Sequence, residues 1–358
     1  MGTSTTRRRF AIAAAGPAIA LILTAGAVPA QAAAADDAAA TVAASAGTSW
    51  AETMRRKFDL ETYTARLTTQ LPALRTTAAA RGADEAAALK AETDAQAVMD
   101  KAVATERTMY ARHAGAKNAA KLAKKALVAA KKQKPASKTR VAKATAAVKK
   151  ADDLVKSRAV IARTSTATLT LTRTRHAAAA KKLAAATTAH DTAVKTVAYA
   201  EKRIASWPKD RAALAAQATE LSEAVVTQAR VKYSTTQVYG VTVNRVVAFS
   251  FQRMIDDAAK AGVKLSGGGF RTREQQIALR KSNGCPDVWT APSSSCRVPT
   301  AIPGRSLHEV GLAIDMTSGG STINTRKSAA FKWMAANAGK YGFVNLPSEP
   351  WHWSITGS

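Results

Sequence analysis

The chain has 358 residues, with 53 lysines and arginines against 25 acids, a net charge of +28 and only 5% aromatic residues. So large a surplus of charge with so few aromatics excludes one uniformly packed globule, and the length allows two domains. It also makes a polyanion a natural partner for some part of the surface.

Arg7-Arg8-Arg9-Phe10 precedes an apolar run from Ala11 to Val28, followed by Ala30-Gln31-Ala32. A charged start, a hydrophobic stretch and an A-x-A processing site read as an export signal over residues 1–32, with Thr6 to Phe10 similar to a twin-arginine signal. A retained membrane anchor is the alternative, but the run is rich in Ala and Gly and ends at the processing site. No later stretch is apolar enough to span a bilayer, so the mature chain is expected outside the cytoplasm, secreted or in the cell wall. Residues 33–47 read as a flexible Ala-rich segment.

Residues 48–235 change to Ala, Lys, Thr and Arg with almost no glycine. Alanine and lysine are strong helix formers. Val141, Val148 and Val155 recur at heptad spacing, as do Leu154 and Ile161, which predicts long, closely packed, coiled-coil-like antiparallel helices. Breaks are expected at Gly82, at Lys134-Pro135-Ala136-Ser137 and at Trp207-Pro208. This gives a hairpin turning near Pro135 with shorter helices before and after it. A disordered basic linker has the same composition. His113, His176 and His190 fall in this region without sequence partners and are expected to face solvent. The basic run from Lys117 to Arg203 could serve a nucleic acid, but it lacks interleaved aromatics and any nucleic-acid module. Outside the cell the corresponding polyanions are wall polymers such as teichoic acids, and anionic lipid headgroups. A protein partner or a merely solvated helix face fits the same run.

Residues 236–358 read as a separate catalytic domain. Val238 to Val243 predicts an opening strand, and Arg245 to Ala261 an amphipathic helix with Phe249, Met254 and Ile255 inward. Gly262 ends that helix and Val263 to Ser266 begins the next strand. Arg271 follows, then a helix carrying Gln275, Gln276 and Leu279. The two cysteines, Cys285 and Cys296, lie close together in a Pro/Ser-rich loop, and in an exported chain such a pair predicts a disulfide.

Two phrases carry the chemistry: Ser306-Leu307-His308-Glu309-Val310-Gly311-Leu312-Ala313-Ile314-Asp315, and Glu349-Pro350-Trp351-His352-Trp353. Leu312, Ile314 and Met316 alternate with Ala313 and Asp315, so Asp315 points away from the greasy face of a strand. In the second phrase Trp351 and Trp353 share one side and His352 and Ser354 the other. Strict alternation puts Glu349 on the wrong side from His352, so a bend at Pro350 is required. Two histidines and a carboxylate could share one metal, because hydrolytic Zn²⁺ takes three protein ligands and keeps a fourth position for water.

These residues resemble the VanY-type D-alanyl-D-alanine carboxypeptidases, within the LAS group of zinc metallopeptidases. The pattern SxHxxGxAxD is met by Ser306, His308, Gly311, Ala313 and Asp315, and ExxH followed by Trp is met by Glu349, His352 and Trp353. An upstream SGYRS phrase appears as Ser266-Gly267-Gly268-Gly269-Phe270-Arg271-Thr272, with two extra glycines but the arginine kept. The resemblance implies a small α+β fold with an antiparallel sheet of the LAS/hedgehog-like kind, over the last third of the chain. It implies Zn²⁺ bound by His308, Asp315 and His352, with Glu349 as general base and Arg271 holding the substrate and the developing oxyanion. It also suggests substrate contacts from Ser306, Gln276, Trp351 and Trp353. The expected substrates are peptidoglycan stem peptides, trimmed of a terminal D-Ala. An endopeptidase of the same family and a wall-binding scaffold with a residual peptidase fold are the alternatives. Glu309 matches no fixed position of the family and is not expected to act as the base. A chain starting near Val238 is expected to keep its activity on small peptides.

Overall fold

The computed structural model describes residues 45–135 and 137–358, so the expected export signal and most of the expected flexible Ala-rich segment lie outside the described residues. Two helices dominate, α1 (Ala46–Lys132) and α2 (Lys138–Val231). Ser45 and Ser137 cap their N-termini by accepting the backbone N–H groups of Thr48 and Arg140. The chain reverses between Lys132 and Lys138, near Pro135 as the sequence predicted. No described helix is long and apolar enough to cross a membrane.

The expected breaks at Gly82 and at Trp207-Pro208 do not occur: α1 runs through Pro72 and Gly82, and α2 through Pro208. An interior proline costs about 3 kcal/mol in a helix, and here packing against the antiparallel neighbour offsets it. Gly82 serves close packing, because a Cβ there would lie 3.3 Å from the ring of His190. Val141, Val148 and Val155 do sit on the seam, together with Ala162, Leu169 and Ala200. Leu154 and Ile161 do not, being 44% and 40% exposed.

The histidines correct another expectation. His176 and His190 continue the seven-residue spacing of Leu169 and Leu183, and they meet Glu92 at 2.8 Å and Glu85 at 2.6 Å. Thr187 adds a 2.6 Å hydrogen bond to Glu85. His113 also turns toward the seam, its Nε2 buried and without a partner. The middle of the seam is therefore polar, which favours one register of α1 on α2 over sliding alternatives.

After α2 come β1 (Thr235–Val238) and β2 (Val241–Asn244), an antiparallel hairpin where one strand was expected. Tyr239 and Gly240, both with positive φ, form its two-residue turn. Asn244 caps α3 (Arg245–Lys260). β3 (Leu265–Gly268) follows, then α4 (Arg273–Ser282), which opens with a capping box from Thr272 and Gln275. The remaining elements are β4 (Ala313–Ser318), β5 (Ser321–Thr322), α5 (Ala329–Asn337), β6 (Val344–Asn345) and β7 (His352–Ser354). The second sheet has the order β3-β4-β7-β6, all antiparallel, with β5 added beside β4. A long helical hairpin followed by a small α+β domain with an antiparallel sheet is the architecture that the sequence implied.

The core does not respect the boundary between the two regions. Trp50, Met54 and Phe58 of α1 and Val225 and Ala229 of α2 pack in one cluster with Val247, Phe251, Ile314 and Phe343. Phe58 stacks on Tyr341 and meets Phe249 edge-on. Phe249 thus faces α1, whereas Val247, Phe251 and Met254 form the fully buried face of α3. Gly342, at φ +78°, lets the Trp50 ring approach where a Cβ would stand 2.6 Å from it. Lys57 is buried under this contact and donates to the Lys340 carbonyl at 2.6 Å, and burial lowers its pKa.

Candidate metal centre

Asp315 and His352 are direct cross-strand partners on β4 and β7. Opposed residues in an antiparallel pair project to the same side of the sheet, which brings the carboxylate and the ring together. His308 arrives from a single 3₁₀ turn, His308–Val310, that ends at Gly311. Gly311 has φ +68°, and a Cβ there would lie 2.6 Å from the backbone nitrogen of Asn244. Any side chain would be strained as well as crowded. Asn244 fixes the turn further, its backbone N–H donating to Gly311 at 2.9 Å and its side chain to Val310 at 2.8 Å.

Three donor atoms converge there. His308 Nε2 is 3.1 Å from Asp315 Oδ1, His352 Nδ1 is 3.0 Å from the same oxygen, and the two ring nitrogens are 3.2 Å apart. Donors held tetrahedrally at zinc distances of about 2.0–2.1 Å stand about 3.3 Å from one another, so the spacing suits a small cation. Each ring also has its outer nitrogen engaged: His308 Nδ1 lies 2.6 Å from the Gly269 carbonyl and His352 Nε2 lies 3.2 Å from that of Ser358. Those carbonyls accept N–H groups and leave the inner nitrogens as lone pairs, the arrangement that metal-bound histidines use. Without a cation, a neutral ring would point a lone pair at a carboxylate. The cluster is therefore satisfied either by protons on the rings or by a metal, and the residues fit a metal.

The electrostatics agree. Burial works against the charge on Asp315, but hydrogen bonds from His308 and His352 and their attraction outweigh it, and its pKa is driven well below the usual carboxylate range. Burial likewise opposes protonation of His352, and the hydrogen bond and charge of Asp315, with the Ser358 carbonyl and Glu349, raise its pKa above the ordinary value. A raised pKa means that protons compete with a metal at higher pH than they would at a free histidine near ~6.5. Titrating Zn²⁺ into metal-free protein is thus expected to release more protons per site at pH 6 than at pH 8, because His352 holds its proton more tightly than a free histidine. Calorimetry in buffers of different ionisation heat measures this, and release of none at pH 6 would remove the ring nitrogens as ligands.

Glu349 reaches the site through a turn that replaces the single expected bend. The backbone N–H of Glu349 donates to Leu346 at 3.0 Å and that of His352 to Glu349 at 3.2 Å. Asn345 holds the ends of this turn by donating to the carbonyls of Glu349 and His352 at 2.8 and 2.9 Å. Regular strand geometry begins only at His352, so Glu349 escapes strict alternation. Its carboxyl is half-buried, and burial raises its pKa; repulsion from Asp315 adds to this while His352 and His308 oppose it.

Arg271 stands on the other flank, donating to Asp315 Oδ2 at 3.2 Å and to Gln276 Oε1 at 2.9 Å. Its backbone N–H also donates to His308 at 3.1 Å. Arg271 and Asp315 line a groove of about 550 Å³ with Gly268, Gly269, Phe270 and residues of α4. Gln276 is buried and spends its amide on Arg271 and on the Ala301 carbonyl at 2.7 Å, so it orients the arginine from behind. Ser306 is buried too and accepts the His308 N–H at 3.3 Å. Trp353 packs against Phe331 in the core, and Trp351 is partly exposed. Glu309 accepts the Gly304 N–H with both oxygens, at 2.8 and 3.0 Å, and so acts on the loop before Ser306.

Sequence reasoning missed Arg230, at the end of α2. It donates to the carbonyls of Gly304 at 2.5 Å and Arg305 at 2.7 Å, tying the helical hairpin to the loop that leads into His308. It also missed the Gly269 and Ser358 carbonyls. Cys285 and Cys296 are disulfide-bonded as expected. Behind that loop Arg280 is fully buried and donates to the carbonyls of Thr300, Asp287 and Ala291, fixing the loop's path.

Residues 240–358 match the family model described as VanY: D-alanyl-D-alanine carboxypeptidase. A D-alanyl-D-alanine carboxypeptidase of Enterococcus faecalis (strain ATCC 700802 / V583) is 28% identical over 127 residues, which is 30% of this chain and 45% of that protein. A second, from Enterococcus faecium, is 28% identical over 122 residues, covering 30% of this chain and 36% of that protein. The putative carboxypeptidase YodJ of Bacillus subtilis (strain 168) is 28% identical over 131 residues, 32% of this chain and 46% of that one. The chain spans less than half the length of each of these relatives. The matched stretch contains His308, Asp315, Glu349 and His352, so the C-terminal domain of this chain, not the helical hairpin, carries the similarity to the VanY family.

Proposed function

We propose that this chain is an exported zinc peptidase that removes the terminal D-alanine from peptidoglycan stem peptides. The observation that carries this reading is the triangle of His308 Nε2, Asp315 Oδ1 and His352 Nδ1, with sides of 3.0–3.2 Å, beside a half-buried carboxyl of raised pKa. The carboxypeptidase names of the relatives supply the substrate class.

His308, Asp315 and His352 would hold the ion, and Zn²⁺ bound there would act as a Lewis acid and lower the pKa of a water. Glu349 takes the proton from the attacking water and passes it to the departing amine, a role suited to a carboxyl whose affinity for protons is raised. Arg271 has guanidinium N–H groups beyond the two engaged by Gln276 and Asp315. It can offer them to the substrate carboxylate or to the oxygen that gains charge. Gln276 and Asp315 keep that guanidinium in one orientation. Ser306 and Trp353 support the site from the protein side, which leaves Trp351 as the partly exposed aromatic able to meet the peptide.

The test is mass spectrometry of purified muropeptides after incubation with the zinc-loaded protein. Loss of one alanine mass is expected, abolished by chelation and by His308→Ala, with about one zinc per wild-type chain by elemental analysis. Release of a larger fragment would assign an endopeptidase instead. Intact muropeptides with a fully loaded protein would leave a binding module.

A further inference from the structure

The hairpin carries its charge unevenly. Between residues 101 and 170, its far part, lie eighteen of the chain's 53 lysines and arginines but only three of its 25 acids, a net +15 of the total +28. Residues 45–100, which include the root packed on the domain, carry a net −1. A coat serving only solubility would intersperse both signs. Here the positive end is separated from the candidate metal centre by the length of a helix. From Phe58 in the core to Lys117, α1 rises about 90 Å.

The far part also has a shaped site. Lys117, Lys121, Lys124 and Lys125 of α1 line a groove of about 580 Å³ between the two helices, with Val155 and Asp152 of α2 on the opposite wall. Ala120 and Val128 complete the lining. Lys124 pairs with Asp152 at 2.9 Å, and both are solvent-exposed. The other three lysines have no acid partner among the described residues. Along the helix the lysines recur every three or four residues, a step of about 4.5–6 Å. That presents a row of ammonium groups suited to repeating anions on an extended chain.

We propose that the far end of the hairpin is a binding site for a linear, phosphate-bearing polymer, holding that polymer at a distance from the candidate metal centre. The proposal does not depend on the peptidase reading. A bilayer surface fits less well, because interfacial helices gather their apolar residues on one side. Here the exposed Leu122, Val128, Leu154, Val160 and Ile161 are distributed over several faces of the two helices, and the stretch holds no Trp or Phe. Duplex nucleic acid fits poorly too: two packed helices are about 20 Å across, wider than the major groove of about 12 Å. Single strands call for stacking platforms, and Tyr110 is the lone aromatic between residues 101 and 170.

The experiment compares the full chain with a variant in which Lys117, Lys121, Lys124 and Lys125 are all glutamine, and with a control that neutralises Lys232, Lys264, Lys327 and Lys332. Binding of long-chain inorganic polyphosphate is measured across a salt series, with helicity by circular dichroism as the folding check. The groove variant is expected to bind at least tenfold more weakly, with its logarithmic salt slope reduced by about 3 as fewer counterions are released. The control is expected to bind like the wild type, and a fourfold Lys→Arg variant to retain binding, which separates charge from helix damage. Equal loss in groove and control variants would overturn the site in favour of net charge alone. Tighter binding to phosphatidylglycerol vesicles or to duplex DNA, at matched phosphate, would overturn the choice of partner.

Discussion

Replacing Glu349 by glutamine is expected to lower turnover by about 10²–10⁴-fold while the protein keeps its metal, the range that loss of a general base produces. Glutamine preserves the size of the side chain and its turn, whose hydrogen bonds use the backbone of Glu349 rather than its carboxyl. The substitution also leaves all three converging donors of His308, Asp315 and His352 in place. Zinc content by elemental analysis and muropeptide turnover should therefore separate, with near-stoichiometric metal and little product. Removing a proposed ligand is expected to give a different pattern, with His308→Ala losing metal and activity together. Wild-type turnover by Glu349→Gln would strip Glu349 of its role. Loss of zinc in that variant would make Glu349 part of the metal's support instead.

The metal triangle was legible because its parts are local. Alternation from Leu312 to Met316 places Asp315, and the resemblance of the two phrases to the VanY pattern names His308, Asp315 and His352 as the set. The register was not legible: nothing in either phrase says that Asp315 opposes His352, and only the sheet's β4–β7 pairing decides it. The atoms that set the histidine rings were hidden for a related reason. Gly269 and Ser358 contribute backbone carbonyls, which every residue has, so no residue type marks them. In the hairpin a usable signal was present and passed over. Leu169, His176, Leu183 and His190 keep one seven-residue spacing, as do Glu85 and Glu92, so polar pairs on the seam could have been inferred. The wrongly expected helix breaks came from giving Gly82 and Pro208 their isolated-helix penalties without the neighbouring helix that offsets them.

The same neglect of tertiary packing shaped the expectation that a chain beginning near Val238 would work alone, and the structure reverses it. Such a truncation is expected to give a protein that does not fold. It removes Trp50, Met54 and Phe58, which are 0%, 1% and 3% exposed, and with them Val225 and Ala229. Each large apolar side chain contributes about 1.5–3 kcal/mol by burial, and a whole domain has only about 5–15 kcal/mol in hand. The truncation also uncovers Phe249, Tyr341 and Phe343, and it deletes the Arg230 contacts to Gly304 and Arg305 in the loop before His308. A subtler variant grades the effect: Trp50→Ala in the full chain should cost about 3–5 kcal/mol, as large aromatic deletions from cores do. Urea unfolding of the wild type and of Trp50→Ala measures that cost. A soluble chain from residue 238 with a cooperative melt and full activity would show that the hairpin root is an accessory. The expected outcome makes the root part of the C-terminal domain's own core. Only the hairpin beyond it would then be free to vary in length or charge without touching the metal centre.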